Sequence, residues 1–138
     1  MPFEALTICT KNQIPKVVKR FGATHLLSLV DPGDRIIPPR IIAPENHLSV
    51  TFDDVESPDE FYAPTIEHVR EIITWESQLP AETRLVIHCV AGISRSTAVA
   101  YGLLCNTMAP EEAMARVFEI RPQASPNTIL TRLWDQEL

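Results

Sequence analysis

The stretch that decides the fold is LVIHCVAGISRSTA, residues Leu85–Ala98. A short apolar run leads into a segment that begins with Cys89 and ends with Arg95, and small or apolar residues follow. This pattern predicts a buried strand, a tight loop and then a helix. Because the first N–H groups of a helix lack partners and lie at the positive end of its dipole, we expect the loop to bind an anion.

The loop carries side chains that suit a phosphoryl group. A Cys89 thiol in this positive field is expected to ionise more easily, and the thiolate is the nucleophilic form. The planar guanidinium of Arg95 can hold two phosphoryl oxygens, which a lysine ammonium cannot do. Gly92 permits a bend that turns N–H groups inward. The predicted phosphate-binding residues are Val90, Ala91, Gly92, Ile93, Ser94 and Arg95.

The arrangement His88-Cys89, five residues, then Arg95-Ser96 resembles the signature of the cysteine-dependent protein tyrosine phosphatases. Rhodanese-like domains share a loop between a cysteine and an arginine, and they are the main competing family. Further segments resemble the small dual-specificity branch of the phosphatases, and a compact domain of bacterial type is compatible with them. These segments are GATHLLSL at Gly22–Leu29, Arg121-Pro122, and Ser125-Pro126-Asn127.

The resemblance implies roles for individual side chains. Cys89 is the expected nucleophile, and His88 is expected to help keep it ionised. The Ser96 hydroxyl is expected to donate to the sulfur, whereas Ser94 either braces the loop or caps the next helix. The expected proton donor is Asp54, which follows the strand at His47–Phe52. Its neighbour Asp53 is the close alternative, because successive strand residues face opposite sides.

Composition limits the other classes of function. The formal net charge of −6 comes with no basic run, which argues against a nucleic acid or an anionic membrane as the partner. The reaction that the resemblance implies needs no metal or organic cofactor, and the four histidines and three cysteines show no metal-ligand spacing. The N-terminal residues do not resemble a secretory signal, and the odd number of cysteines fits a reducing compartment. We therefore expect a cytoplasmic protein of undetermined oligomeric state.

The length and the pattern of elements predict the architecture. The 138 residues, 45% of them hydrophobic, are enough for one domain with its own core, so residues 1–138 are interpreted as a single domain. Strands and helices alternate, which predicts a three-layer α/β fold with a mostly parallel central sheet between helices. The proline-rich segment Asp31–Arg40 is expected to be irregular and to lie near the pocket.

The substrate is the least determined property. The loop interior contains no Lys or His, which favours a phosphoprotein or a simple monoester over a highly charged inositol phosphate. Phosphotyrosine is the favoured group, with phosphoserine and phosphothreonine left open. Phe61, Tyr62 and Trp75 are candidates for the pocket wall. All three can equally belong to the core or the surface, and that second assignment is preferred for Trp75. Besides a phosphatase, the sequence is compatible with a phosphate-docking module of the same fold, or with a sulfurtransferase.

Overall fold

The computed structural model describes residues 3–138 as alternating strands and helices around one sheet. The strands are β1 Phe3–Thr10, β2 His25–Val30, β3 His47–Thr51 and β4 Thr83–Cys89. The helices are α1 Ile14–Phe21, α2 Ile66–Glu76, α3 Arg95–Leu104, α4 Pro110–Ile120 and α5 Thr128–Glu137. The strand predicted at His47–Phe52 and the strand, loop and helix predicted within Leu85–Ala98 are all present, with bounds shifted by a few residues.

The sheet is parallel and has the order β1-β4-β2-β3. β4 lies in the interior of the sheet, and its Leu85, Val86 and Ile87 side chains are fully buried. Because all the strands are parallel, their carboxyl ends meet at one edge. The loop that follows Cys89 leaves from this edge, next to the segments that follow β1, β2 and β3.

Side chains alternate between the two faces of the sheet and pack against different helices. Leu26 and Val86 pack with Ile14 and Val18 of α1 on one face. On the other face the core includes Leu27, Leu85 and Ile87 together with residues of α2, α3, α4 and α5. The three-layer α/β prediction is thus confirmed.

Helix α3 is buried along its whole length, and close packing against α5 accounts for part of this. A Cβ atom placed on Gly102 would clash with the indole ring of Trp134. Only glycine lets the two helices approach this closely. The buried α3 therefore gives the loop before it a fixed support.

In the part of the chain that the structure covers, no helix is both long and apolar enough to cross a membrane.

Candidate active site

The loop between β4 and α3 turns its carbonyl groups outward. Each of five successive carbonyl oxygens accepts a hydrogen bond from outside the loop. Since the C=O and the following N–H of a peptide unit point in opposite directions, the N–H groups of residues 91–95 turn inward. The loop is therefore lined with donors that suit an oxyanion. The outer donors are the N–H of Lys11 to Val90 (3.0 Å), the guanidinium of Arg121 to Ala91 (3.2 Å) and Gly92 (2.9 Å), the N–H of Ser125 to Ile93 (2.9 Å) and the N–H of Asn127 to Ser94 (3.1 Å).

Gly92 has the backbone conformation that the loop was expected to need. Its φ angle is 67°, in the region that favours glycine. A Cβ atom at this position would also lie 2.8 Å from the carbonyl oxygen of Cys9 in β1. Both the turn and the close approach of β1 therefore require glycine.

Cys89 lies at the bottom of the loop, with a relative exposure of 3%. Its Sγ atom is 3.1 Å from the Oγ atom of Ser96, in the first turn of α3. The structure thus brings the predicted nucleophile and the predicted hydroxyl together. A hydroxyl at this distance can stabilise a thiolate by donating a hydrogen bond.

His88 is held by hydrogen bonds on both sides of its ring. Its Nε2 atom lies 2.7 Å from Ser28 Oγ in β2, and its Nδ1 atom lies 3.3 Å from the carbonyl oxygen of Cys89. Burial, followed by the nearby positive groups, lowers its pKa to about 4 although the Cys89 carbonyl acts in the opposite direction. His88 is therefore neutral near pH 7, and the carbonyl contact identifies Nδ1 as its protonated nitrogen.

The pKa of His88 implies that the protein loses stability in mild acid. Between pH 6.5 and about 4, the unfolded chain binds a proton at this histidine and the folded protein does not, so the free energy of unfolding falls as pH falls. The loss from His88 alone is at most about 3 kcal/mol. Burial also lowers the pKa values of three further histidines, which act in the same direction: His25, His47 and His68.

Urea unfolding at several pH values between 7.5 and 4.5 measures this effect. In the matched variant His88→Gln we expect a smaller slope of unfolding free energy against pH over that range. An unchanged slope in the variant would contradict the neutral state of His88.

Arg95 is buried, with a relative exposure of 4%. Its Nη1 atom donates to the carbonyl oxygen of Phe52 (3.0 Å) and lies 2.7 Å from Oδ1 of Asp31. Its Nε atom is also buried and has no hydrogen-bond partner among residues 5–138. Because a buried donor without a partner is costly, this N–H is suited to a ligand oxygen.

Asp54, rather than Asp53, contacts the loop. An Asp54 carboxylate oxygen accepts hydrogen bonds from the Ser94 hydroxyl (2.7 Å) and from the Asn127 side-chain amide (3.0 Å). Asp53 instead accepts from the Asp54 backbone N–H at 2.8 Å. The structure therefore places the first-choice candidate at the mouth of the loop and gives its neighbour a local contact.

Ser94 corrects one of the sequence expectations. It occupies the position before α3, but its side chain makes no capping hydrogen bond. Its hydroxyl donates to Asp54 instead, because that carboxylate is a stronger acceptor within reach. The capping interpretation is wrong, and Ser94 connects the loop to the segment of the candidate acid.

Three residues make contacts in the site that were not anticipated from the sequence. Asp31 was expected only to lie near the pocket, and it pairs with Arg95. Arg121 and Asn127 were noticed only as parts of a family resemblance, and they bind loop carbonyls and Asp54. Asn127 also caps α5 by accepting from Leu130 N–H at 3.1 Å. For Arg121 and Asn127, the signal available in the sequence was their position in Arg121-Pro122 and Ser125-Pro126-Asn127, two of the segments that resemble the phosphatase branch.

Of the three aromatic candidates, Phe61 and Tyr62 are exposed, whereas Trp75 packs against the core. Phe61 and Tyr62 are 91% and 64% exposed, on the segment that also carries Asp54. Tyr62 has a φ angle of 60°, and its carbonyl accepts from the N–H of Asp53 at 2.7 Å, which closes this segment into a loop. Trp75 packs edge-on against His25 and against the core, so its assignment away from the pocket is confirmed.

A polar cleft of about 380 Å³ adjoins the loop. Asp54, Ser94 and Asn127 line it, together with Glu56 and the first residue of α5, Thr128. It therefore gives solvent access to the Asp54 carboxylate. Within residues 5–138, His, Cys, Asp and Glu side chains form no group of three or more that could hold a metal ion.

Comparisons with known proteins identify relatives of this chain. It is 35% identical over 113 residues to dual specificity protein phosphatase 22-B of Danio rerio, covering 79% of this chain and 56% of that protein. It is 30% identical over 113 residues to the human protein phosphatase Slingshot homolog 3, covering 80% of this chain and 16% of that protein. The chain thus spans about half or less of the length of these relatives. No family model matches the chain.

Solved structures share the fold. Human DUSP28 superimposes with a TM-score of 0.74 at 21% identity, covering 95% of this chain and 89% of that one. The PTP-2 phosphatase of Cydia pomonella gives a TM-score of 0.73 at 18% identity, covering 96% and 85%. At these identities the likeness concerns the fold.

Proposed function

We infer that this chain belongs to the small dual-specificity-like branch of the cysteine-dependent protein tyrosine phosphatase superfamily. We propose that it hydrolyses phosphate monoesters through a phosphocysteine intermediate. One observation carries the proposal: the Cys89 thiol lies under a loop of inward N–H groups that ends at Arg95, whose buried Nε has no hydrogen-bond partner among the described residues. These donors suit the equatorial oxygens of a phosphoryl group in transfer.

In the first step, the Cys89 thiolate attacks phosphorus and the bond from phosphorus to the ester oxygen breaks. Asp54 gives its proton to the departing oxygen, which leaves as an alcohol or phenol. The loop N–H groups and Arg95 stabilise the charge that grows on the phosphoryl oxygens. The position of Asp54 at the loop mouth, fixed by Ser94 and Asn127, supports this role.

In the second step, water attacks the phosphorus of the phosphocysteine. Asp54, now a carboxylate, accepts a proton from this water, and the sulfur leaves as a thiolate. Ser96 assists by donating a hydrogen bond to the sulfur, which is 3.1 Å from its hydroxyl. The products are inorganic phosphate and the regenerated enzyme, so the protons and electrons balance without a metal or organic cofactor.

We propose a phosphorylated protein as the substrate, with phosphotyrosine favoured. The interior of the loop presents backbone N–H groups and one arginine, which match a single phosphoryl group. The exposed aromatic residues Phe61 and Tyr62 lie on the same segment as Asp54 and offer apolar area for an aromatic ring.

Freshly reduced protein tested with para-nitrophenyl phosphate distinguishes the candidate activities. We expect steady turnover, competitive inhibition by vanadate, and a phosphoenzyme trapped by rapid acid quench of a ³²P-labelled phosphotyrosine peptide. Vanadate binding without turnover would instead indicate a phosphate-docking module. Transfer of sulfur from thiosulfate to cyanide, without phosphate release, would indicate a sulfurtransferase.

A further inference from the structure

The guanidinium of Arg95 is held from one end by two groups that follow neighbouring strands. Asp31 comes directly after β2, and Phe52 comes directly after β3. The Asp31 carboxylate lies 2.7 Å from Nη1 of Arg95, and the Phe52 carbonyl accepts from the same nitrogen at 3.0 Å. Both contacts fall on the Nη1 end, whereas the buried Nε has no partner among the residues described.

This asymmetry fixes the orientation of the group. A guanidinium is planar, so contacts that hold Nη1 also set the direction in which Nε and Nη2 point. The Arg95 side chain is 5% exposed and the Asp31 side chain is 43% exposed. The carboxylate therefore compensates a cation that has little contact with water, and it does so from outside the anion-binding loop.

We propose that Asp31 is a positioning residue, which holds Arg95 so that its Nε–Nη2 edge faces the phosphoryl group. Asp31 acts through Arg95 and makes no contact with the substrate itself. This inference rests on the proposed function, because it assigns the free edge of Arg95 to a phosphoryl oxygen pair. It gives a role to the first residue of the segment that follows β2.

The variant Asp31→Ala tests the proposal. Without the carboxylate, Arg95 can rotate away from the orientation needed in the transition state, and we expect kcat with para-nitrophenyl phosphate to fall on the order of 10- to 100-fold. Vanadate forms a five-coordinate adduct that resembles the transition state, so its affinity should fall more than that of inorganic phosphate. In Asp31→Asn, which keeps the shape and one acceptor oxygen, both losses should be smaller.

Asp34→Ala is the matched control. Asp34 lies in the same segment and also pairs with a basic residue, Lys11, but that pair is partly exposed and does not involve Arg95. We expect its kcat to stay within about twofold of the wild type, because exposed ion pairs contribute little. Thermal unfolding of every variant identifies any that fail to fold. If Asp31→Ala fails to fold, Asp31→Asn replaces it in the comparison.

The outcomes separate the two proposals. Equal effects of Asp31→Ala and Asp34→Ala on kcat and on vanadate affinity overturn the positioning role. Tighter anion binding in Asp31→Ala also overturns it, because the carboxylate would then be competing with the phosphoryl group for Arg95. A wild type that binds vanadate but releases no phosphate refutes the proposed function alone, since calorimetry of vanadate and phosphate still measures the effect of Asp31.

Discussion

Replacement of Cys89 by serine is expected to abolish phosphate release, with a loss of kcat of at least ~10³-fold. An alcohol is far less acidic than a thiol, so it supplies almost no anionic nucleophile near neutral pH. The loop N–H groups and the Arg95 guanidinium are unchanged by this substitution. We therefore expect Cys89→Ser to retain binding of inorganic phosphate, measured by calorimetry, while losing turnover of para-nitrophenyl phosphate.

Cys105→Ser is the matched control for the chemistry of the substitution. Cys105 is half-buried directly after α3, the helix whose opposite end carries Arg95. The control should keep wild-type turnover and should form the same acid-stable phosphoenzyme. Residual turnover of Cys89→Ser within tenfold of the wild type would falsify the phosphocysteine mechanism.

The sequence was sufficient to predict the local parts of the site. An apolar run, a loop with one glycine and a small-residue helix are each determined by nearby residues, and the structure contains all three. The general order of strands and helices could be predicted as well, because the hydrophobic periodicity that indicates each element is also a property of nearby residues. The parallel pairing of β2 with both β3 and β4 brings Asp31 and Phe52 to Arg95.

The long-range contacts were not predictable in this way. Arg121 binds the carbonyls of Ala91 and Gly92 across 29 or 30 residues, and Asn127 binds Asp54 across 73. Nothing in the composition around Arg121 distinguishes it from a surface arginine. Such contacts depend on how α3, α4 and α5 pack, and that packing depends on details such as the glycine opposite Trp134. The capping alternative for Ser94 is wrong because the acceptor of its hydroxyl lies 40 residues earlier.

The variant Asp54→Asn is expected to lower kcat by ~10²- to 10⁴-fold with a poor leaving group such as phenyl phosphate. The amide cannot protonate the departing oxygen, and an unprotonated alkoxide or phenoxide leaves slowly. With para-nitrophenyl phosphate the loss should be smaller, because nitrophenolate is a more stable anion. The side-chain oxygen of asparagine can still accept from Ser94 and Asn127, so the loop mouth should keep its structure.

Asp53→Asn is the control, since the Asp53 side chain accepts from the Asp54 backbone N–H and an amide oxygen can do the same. We expect a small effect that does not depend on the leaving group. The measurement is kcat for a series of aryl phosphates whose phenols differ in acidity, compared among wild type and both variants. A steeper dependence on the leaving group in Asp54→Asn identifies Asp54 as the proton donor. A steeper dependence in Asp53→Asn instead would transfer that role to Asp53, and it would require the segment between Phe52 and Tyr62 to rearrange when substrate binds.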